Sequence, residues 1–227
     1  MVIDHSYWRR IVSSIERIVK AGCYTKVNRV ISLTLDSYLR DLTGKIVRGY
    51  RTILDSGCGP GLLLDKLPDN EVICLDPSLT LLKLSKDKHK LSHHICGVAE
   101  AIPLRDHSVD AITSLFSFRD FIDREKAANE YMRVVRSRIV IVDLFKPANP
   151  GLRLVAAMYL SYIAPLIAMG IAGKIGSEWR QLYKTYLEMI TLNTLREIFR
   201  DFKQEVAVSF LGGFLSLIDL TRIKNKS

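Results

Sequence analysis

The stretch Thr52-Ile53-Leu54-Asp55-Ser56-Gly57-Cys58-Gly59-Pro60-Gly61-Leu62 decides the fold. A short apolar run ends in a carboxylate, and a glycine-rich turn leads from it into a helical pattern over 61–67. Gly57 and Gly59 permit positive φ and let a ligand lie directly against the backbone. A dinucleotide fingerprint needs G-x-G-x-x-G with free amides for a pyrophosphate. Here the spacing is G-x-G-x-G, Pro60 lacks an N–H, and Asp55 sets an anion just before the turn. That arrangement repels phosphate and suits a cation. Asp76 closes the next strand-like run, twenty-one residues on, where a carboxylate can accept both hydroxyls of a ribose. A nucleoside carrying a positive amino-acid tail and no phosphate fits both ends, which is S-adenosylmethionine. A bare strand–helix turn would leave the pairing of Asp55 with Asp76 without a purpose.

Outward from this turn, short apolar runs alternate with helical stretches. Residues 71–75, 93–96, 109–115 and 138–143 read as strands, and 61–67, 78–86 and 122–136 as helices, the last capped by Asp123 with Ala127, Tyr131, Val134 and Val135 inward. The strands lack polar alternation, so both of their faces are buried, as in a parallel sheet with helices on either side. A helix with a capping box from Thr194 to Glu197 precedes two strands, 204–210 and 214–222. The Leu211-Gly212-Gly213 turn makes these an antiparallel hairpin at the sheet edge. The expected fold is α/β: a Rossmann-like sheet of seven strands, mostly parallel, with helices on both faces and an added helical lid.

Before residue 51 the pattern is helical. Tyr7, Ile11, Ile15, Ile18 and Val19 share one side of a helix over 6–21. A second helix is expected from about Thr25 to Leu42, with Val27, Val30, Ile31, Leu35, Tyr38 and Leu42 buried and Gly44 as its stop. The chain thus divides into an amino-terminal helical cap, 1–50, and a domain over 51–227. Within that domain 150–190 is an inserted apolar lid. In 154–173 there is no charged residue over twenty positions, a length that matches a membrane span. Pro165, Ser161, two tyrosines and a place between the fifth and sixth strands favour a kinked helical pair above the sheet's carboxyl edge, touching lipid.

The chain has 227 residues, 48% apolar and 25% charged, which suits one globular domain with a cap and excludes a disordered or collagen-like protein. Cys23, Cys58, Cys74 and Cys96 form no CxxC, so a reducing compartment is expected. The opening MVIDHSYWRR lacks the order of a signal peptide, and a cytoplasmic protein, peripheral at the membrane, is expected. Net charge is +9; residues 1–51 hold 10 basic and 4 acidic side chains, 52–173 hold 14 of each, and 174–227 hold 9 and 6. A neutral middle with basic ends suggests an anionic partner: a lipid surface, nucleic acid or an acidic ligand.

Asp55-x-Gly57-x-Gly59-x-Gly61 after the first strand and Asp76-Pro77 after the second resemble the class I methyltransferases. Three further stretches narrow the likeness: Gly97-Val98-Ala99-Glu100-Ala101-Ile102-Pro103-Leu104, then Phe116-Ser117-Phe118-Arg119-Asp120, then Asp143-Leu144-Phe145-Lys146-Pro147-Ala148-Asn149-Pro150. They are similar to the C-methyltransferases of ubiquinone and menaquinone biosynthesis, as are Tyr183, Glu188-Met189-Ile190 and the final Gly212-Gly213. The likeness runs from about residue 50 to the end. It implies a cofactor site built from Asp55, Gly57, Cys58, Gly59 and Gly61, then Asp76 and Pro77, then Val98, Ala99 and Glu100, and finally Leu115 and Phe116. The sequence also departs from the family. Val98 stands where an Asp is expected near the adenine amine, so Glu100 or a backbone carbonyl takes its place. Asp120 replaces Asn, Ser117 replaces Gly, and Val135-Arg136-Ser137-Arg138 replaces a K-P-G-G turn.

Methyl transfer is an in-line displacement, so holding donor and acceptor collinear supplies much of the rate, and S-adenosylhomocysteine is the product. A ring carbon is a weak nucleophile until the neighbouring phenol loses its proton; a base and a cation would serve. Resemblance and position make Arg119 the charge stabiliser, Asp120 its partner or the base, and Tyr183 a donor to a quinol oxygen. The bland alternative has Arg119 and Asp120 opening the helix at 122 as surface ion pairs, and Tyr183 as a lid residue. His93 and His94 point to opposite faces of a strand, so no metal is expected there. His107 reads as a solvated loop residue, and Cys58 as present for its size. Tyr7 and Trp8 either pin their helix to the core or help cover cofactor and acceptor.

Three functions follow. The first is C-methylation of a prenylated quinol or similar hydrophobic acceptor at an anionic membrane surface. The second is an RNA or DNA methyltransferase whose basic ends bind phosphate, although no N/D-P-P-Y/F motif follows strand four, where Ser114-Leu115-Phe116-Ser117 stands. The third is a non-catalytic nucleoside-binding, membrane-associating module.

Overall fold

A computed structural model describes residues 4–223; Met1–Ile3 of the opening segment and Lys224 and Lys226 of the basic carboxyl end lie outside it. Five parallel strands, β1 (Thr52–Ser56), β2 (Glu71–Asp76), β3 (His93–Cys96), β4 (Val109–Leu115) and β5 (Val135–Leu144), join the antiparallel β6 (Phe202–Phe210) and β7 (Leu215–Arg222) in one sheet, ordered β3-β2-β1-β4-β5-β7-β6. Strand alternation sends Ile53, Cys74, Val140 and Val142 to one core and Leu54, Leu75, Ile139 and Ile141 to the other. Helices α1 (His5–Lys20), α2 (Tyr24–Ile31), α3 (Leu35–Val47), α4 (Leu79–Lys88), α5 (Arg124–Val134), α6 (Pro150–Met158), α7 (Ala164–Ala172), α8 (Gln181–Glu188) and α9 (Leu192–Ile198) complete it. Tyr131 and Val134 of α5 and Leu195 of α9 cover one face; Leu39 and Val47 of α3 and Leu82 of α4 cover the other. The strand order reverses between β1 and β4, where open α/β sheets place ligands at their carboxyl ends.

Several expectations change. No α-helix follows the glycine turn. Gly61 adopts φ +79° against Ser85 Oγ, and only one 3₁₀ turn, Leu64–Lys66, forms. The second helix is two, α2 and α3, separated by Leu33 and Thr34 at φ 53° and 68°. Gly44 is no stop but lies inside α3, where a Cβ would come within 2.9 Å of Lys66 Cβ. The cap of α9 is Thr191, whose Oγ1 accepts from Thr194 N at 3.1 Å, so the box expected at Thr194 sits one turn too late. The Asp123 cap stands as expected, accepting from Lys126 N at 3.1 Å.

The lid is a helical run from Pro150 to Glu188, long and apolar enough to cross a membrane. Pro165 sits at the start of α7 and breaks nothing there. The irregularity is instead a π-turn over Tyr159–Ile163, and the chain reverses at Gly173, φ +60°. At the return a Cβ on Gly176 would lie 2.3 Å from Ala168 O, which fixes the tight crossing. Lid and cap then pack together: Ile18 and Val27 meet Ala168 and Trp179, Trp179 Nε1 donates to Asn28 Oδ1 at 3.0 Å, and Glu178 takes Arg17 Nε at 2.8 Å.

Candidate active site

At the carboxyl ends of β1, β2 and β4 lies a cavity, open to solvent, whose empty space including that opening is about 880 Å³. Gly57, Cys58 and Gly59 form its floor, Asp76 and Pro77 one end, and Val98, Ala99, Glu100, Leu115 and Phe116 a wall. Trp8, Ile11, Val12 and Ile15 of α1 roof it, so the cap covers the site as well as packing on the core. Ser78 Oγ donates to Glu16 of α1, latching roof to floor.

Two expected members stand behind this wall. Asp55 is buried and accepts from Thr113 Oγ1 at 2.8 Å, tying β1 to β4. Burial pushes its pKa up to about 6 against that hydrogen bond and the charge of Arg40. Gly61 serves packing, because a Cβ there would sit 2.4 Å from Ser85 Oγ. Gly57 does both tasks: φ is +73° and a Cβ would lie 2.4 Å from Ser117 Cβ. Gly59 turns at φ +55° with open space above it. Cys58 Sγ lies against Cys74, and that neighbour with burial pushes its thiol well above the ordinary range, so it is no nucleophile.

The floor fits S-adenosylmethionine. Asp76 accepts from Gly59 N at 2.9 Å through one oxygen and Ser78 N at 2.9 Å through the other. A carboxylate has about four acceptor positions, which leaves two for a ribose diol. Burial holds Asp76 up at about 6, so donors that complete its shell are favoured. Glu100 spends one oxygen on Asp123 N at 3.0 Å, steadying the start of α5, and its other oxygen is free for an amine. Among the described residues no cluster of His, Cys, Asp or Glu is placed to hold a metal ion; His94 bonds Ser92 O and Ser85 Oγ. His107, exposed at φ +48°, bonds Val135 O.

A second cavity lies under the lid, its empty space about 1510 Å³ including the opening to solvent, lined chiefly by aliphatic and aromatic side chains of α2, α3, α6 and the β6–β7 turn. Tyr24, Arg40 and Phe116 line both cavities. Phe116 holds φ +60° just past β4, and Arg40 lies 5.2 Å over its ring. Strained backbone of this kind persists where the surroundings over-determine it.

Arg119 lines the apolar cavity and Asp120 the cofactor cavity. Neither is a surface residue. Arg119 Nη1 donates to Asp143 Oδ1 and its backbone N to Asp143 Oδ2 at 2.8 Å, whereas Asp120 is 3.6 Å from Nη2. The partner expected of Arg119 is therefore Asp143 first. Burial opposes the guanidinium's charge, but Asp143 and Asp120 outweigh it and raise its pKa. Burial lifts Asp120 to about 6 despite Arg119. Buried Arg124 donates to Arg119 O and completes the group. Tyr183 is elsewhere: it stacks on Tyr186 with ring centroids 6.4 Å apart, joins the Ala156–Phe214 cluster and lines neither cavity. Tyr24, Arg40 and the partnership of Asp143 were missed from the sequence; only the last had a signal, a carboxylate near the end of buried β5, beside the strand β4 that Arg119 follows.

Fold and site define an S-adenosylmethionine-dependent methyltransferase. Residues 54–142 match the family model of a methyltransferase domain. The chain is similar to a demethylmenaquinone methyltransferase of Thermotoga maritima, 29% identical over 203 residues covering 86% of this chain and 87% of that protein. It is similarly related to the enzyme of that name from Listeria welshimeri, 29% identical over 84% and 87% of the two chains. In fold it is similar to the YcgJ protein of Bacillus subtilis, with TM-score 0.63, 17% identity and coverage of 83% and 100%. The plantazolicin methyltransferase BpumL, solved with a pentazolic desmethylPZN analog and S-adenosylhomocysteine, gives TM-score 0.61 at 15% identity, covering 95% and 99%.

Proposed function

We propose that the enzyme methylates a ring carbon of a hydrophobic quinol. The observation that carries this reading is the apolar cavity, which meets the cofactor cavity at Tyr24, Arg40 and Phe116. A polar macromolecule would gain nothing from so apolar a chamber, whereas an alkyl- or prenyl-substituted ring fills it. The similarity to demethylmenaquinone methyltransferases supports the same acceptor class.

S-adenosylmethionine, when bound, supplies an electrophilic methyl group. This chain's residues then activate the acceptor. Asp120, with its Oδ1 buried and unpartnered, accepts the phenolic proton. Arg119, whose Nε is likewise unpartnered, steadies the phenolate, while Asp143 fixes the guanidinium's orientation. Once the ring carbon has taken the methyl, the hydrogen on that carbon leaves as the ring returns to the phenol, and Asp120 gives its proton to solvent. Phe116 and Arg40 hold the ring against the cofactor cavity.

Incubation with labelled methyl donor and separate lipid, RNA and protein fractions tests the reading. Label is expected in the lipid fraction, on a quinone carbon. Label in RNA alone, or nucleoside binding without transfer to any fraction, would overturn it.

A further inference from the structure

We propose that the outer face of the lid docks on an anionic lipid bilayer and delivers the acceptor from it. Ala164 and Ala168 of the lid are fully buried against protein, while Leu154, Met158, Tyr162, Ile163, Leu166 and Met169 are exposed, Tyr162 at 69% and Leu166 at 66%. The spacing 154, 158, 162, 166 puts four of them on one side of the run. Contiguous exposed apolar surface on a soluble fold marks an interaction site. One face packed and one bare is the geometry of a helix lying in the plane of an interface.

Charge selects the occupant. The lid packs on α2 through Val27 and Ala168. Between residues 18 and 35 the only charged side chains are Lys20, Lys26 and Arg29; between 145 and 177 they are Lys146, Arg153 and Lys174. All six are basic, and no acidic residue falls in either segment. Such an apolar strip with cationic flanks complements anionic headgroups over acyl chains. A second copy would set these like charges against each other. The mouth of the apolar cavity lies on the same element: Leu152 and Val155 of α6 and Leu33 beside α2 are exposed and also line it. A lipid-borne acceptor would thus enter without crossing water. Docking needs only the surface; the entry route rests on the quinol reading above.

Co-sedimentation with vesicles of equal phosphatidylcholine and phosphatidylglycerol tests the docking, beside vesicles of phosphatidylcholine alone. Leu154, Leu166, Lys26, Arg29 and Lys174 line neither of the two cavities described above. The intact protein is expected on the mixed vesicles, released by salt. Leu154→Asp with Leu166→Asp is expected to abolish binding, and each of Lys26→Glu, Arg29→Glu and Lys174→Glu to weaken it at least about fivefold. All variants should retain S-adenosylhomocysteine affinity by calorimetry and turnover on a dispersed short-chain quinol, the control that shows they fold. Indifference to the mixed vesicles would overturn the proposal. So would undiminished binding by the double variant, or a dimer in sedimentation velocity that the double variant dissociates while vesicles bind nothing. Loss of turnover on the dispersed quinol in the intact protein would instead count against the quinol reading.

Discussion

Arg119 and Asp143 form the buried ion pair around which the acceptor side of the site is built: the guanidinium and the backbone N–H of Arg119 both donate to one carboxylate at the end of β5. Strands β4 and β5 are thereby locked at the point where the cavities meet. Removing one partner of such a pair leaves an uncompensated buried charge and costs about 3–5 kcal/mol. Asp143→Ala is therefore expected to lower stability by about that amount in denaturant titration. Arg119→Ala keeps the backbone bond to Asp143. It is expected to leave S-adenosylhomocysteine affinity nearly unchanged in calorimetry while turnover falls about 100-fold or more. Unchanged turnover would remove Arg119 from the chemistry.

Asp120 sets a pH limb. Burial raises its carboxyl to about 6, so the base form is gained as pH rises through that value. At saturating cofactor, kcat should climb between about pH 5 and 7 and then level. Asp120→Asn should lower kcat and abolish the limb, whereas a merely structural Asp120 would leave its shape intact. Asp76 also lies near 6, but its titration acts on cofactor affinity and is suppressed at saturation.

The two cradle glycines should fail differently. Gly57→Ala meets Ser117 Cβ at 2.4 Å and demands a left-handed backbone, so the fold itself suffers. Gly59→Ala has open space and pays only the backbone cost, roughly 1–2 kcal/mol, while its methyl adds bulk to the floor of the cofactor cavity. Thermal melts should show the larger loss for Gly57→Ala. For Gly59→Ala, calorimetry should show an S-adenosylhomocysteine affinity at least about tenfold weaker with a modest change in melting temperature.

The parallel sheet was legible because Ile53, Cys74, Ile112 and Val140 sit in runs with no solvent face, and the closing hairpin because Gly212 and Gly213 mark its turn. The break between α2 and α3 was not. Ser32-Leu33-Thr34 contains no glycine or proline, and the chain bends there because Val27 is claimed by the lid while Leu39 is claimed by the sheet. The run Leu62-Leu63-Leu64 suits a helix, yet Gly61 holds a left-handed φ of +79°, outside the helical region, with Ser85 packed where a Cβ would be. The floor of the cofactor site was readable because its residues are adjacent in sequence. Arg40 was not, since on its own helix it is one more basic residue; only topology carries it to Phe116.

Asp55 makes the apoprotein's stability fall as pH rises. Its carboxyl titrates near 3.8 when unfolded and about 6 when folded, raised by burial against Thr113 and Arg40. The folded state binds the proton more tightly, so the stabilisation is full below about pH 4 and is lost as pH climbs through 6. Above that, the ionised group costs about 3 kcal/mol, two pKa units at 1.36 kcal/mol each. Asp55→Asn keeps an oxygen to accept from Thr113 Oγ1 and removes the charge. Its melting temperature should exceed that of the native chain at pH 8, and the advantage should shrink steadily toward pH 4.5. An advantage that stayed constant with pH would mean that Asp55 carries no buried charge. A variant less stable at pH 8 would mean that Arg40 and the turn depend on that carboxylate more than burial penalises it.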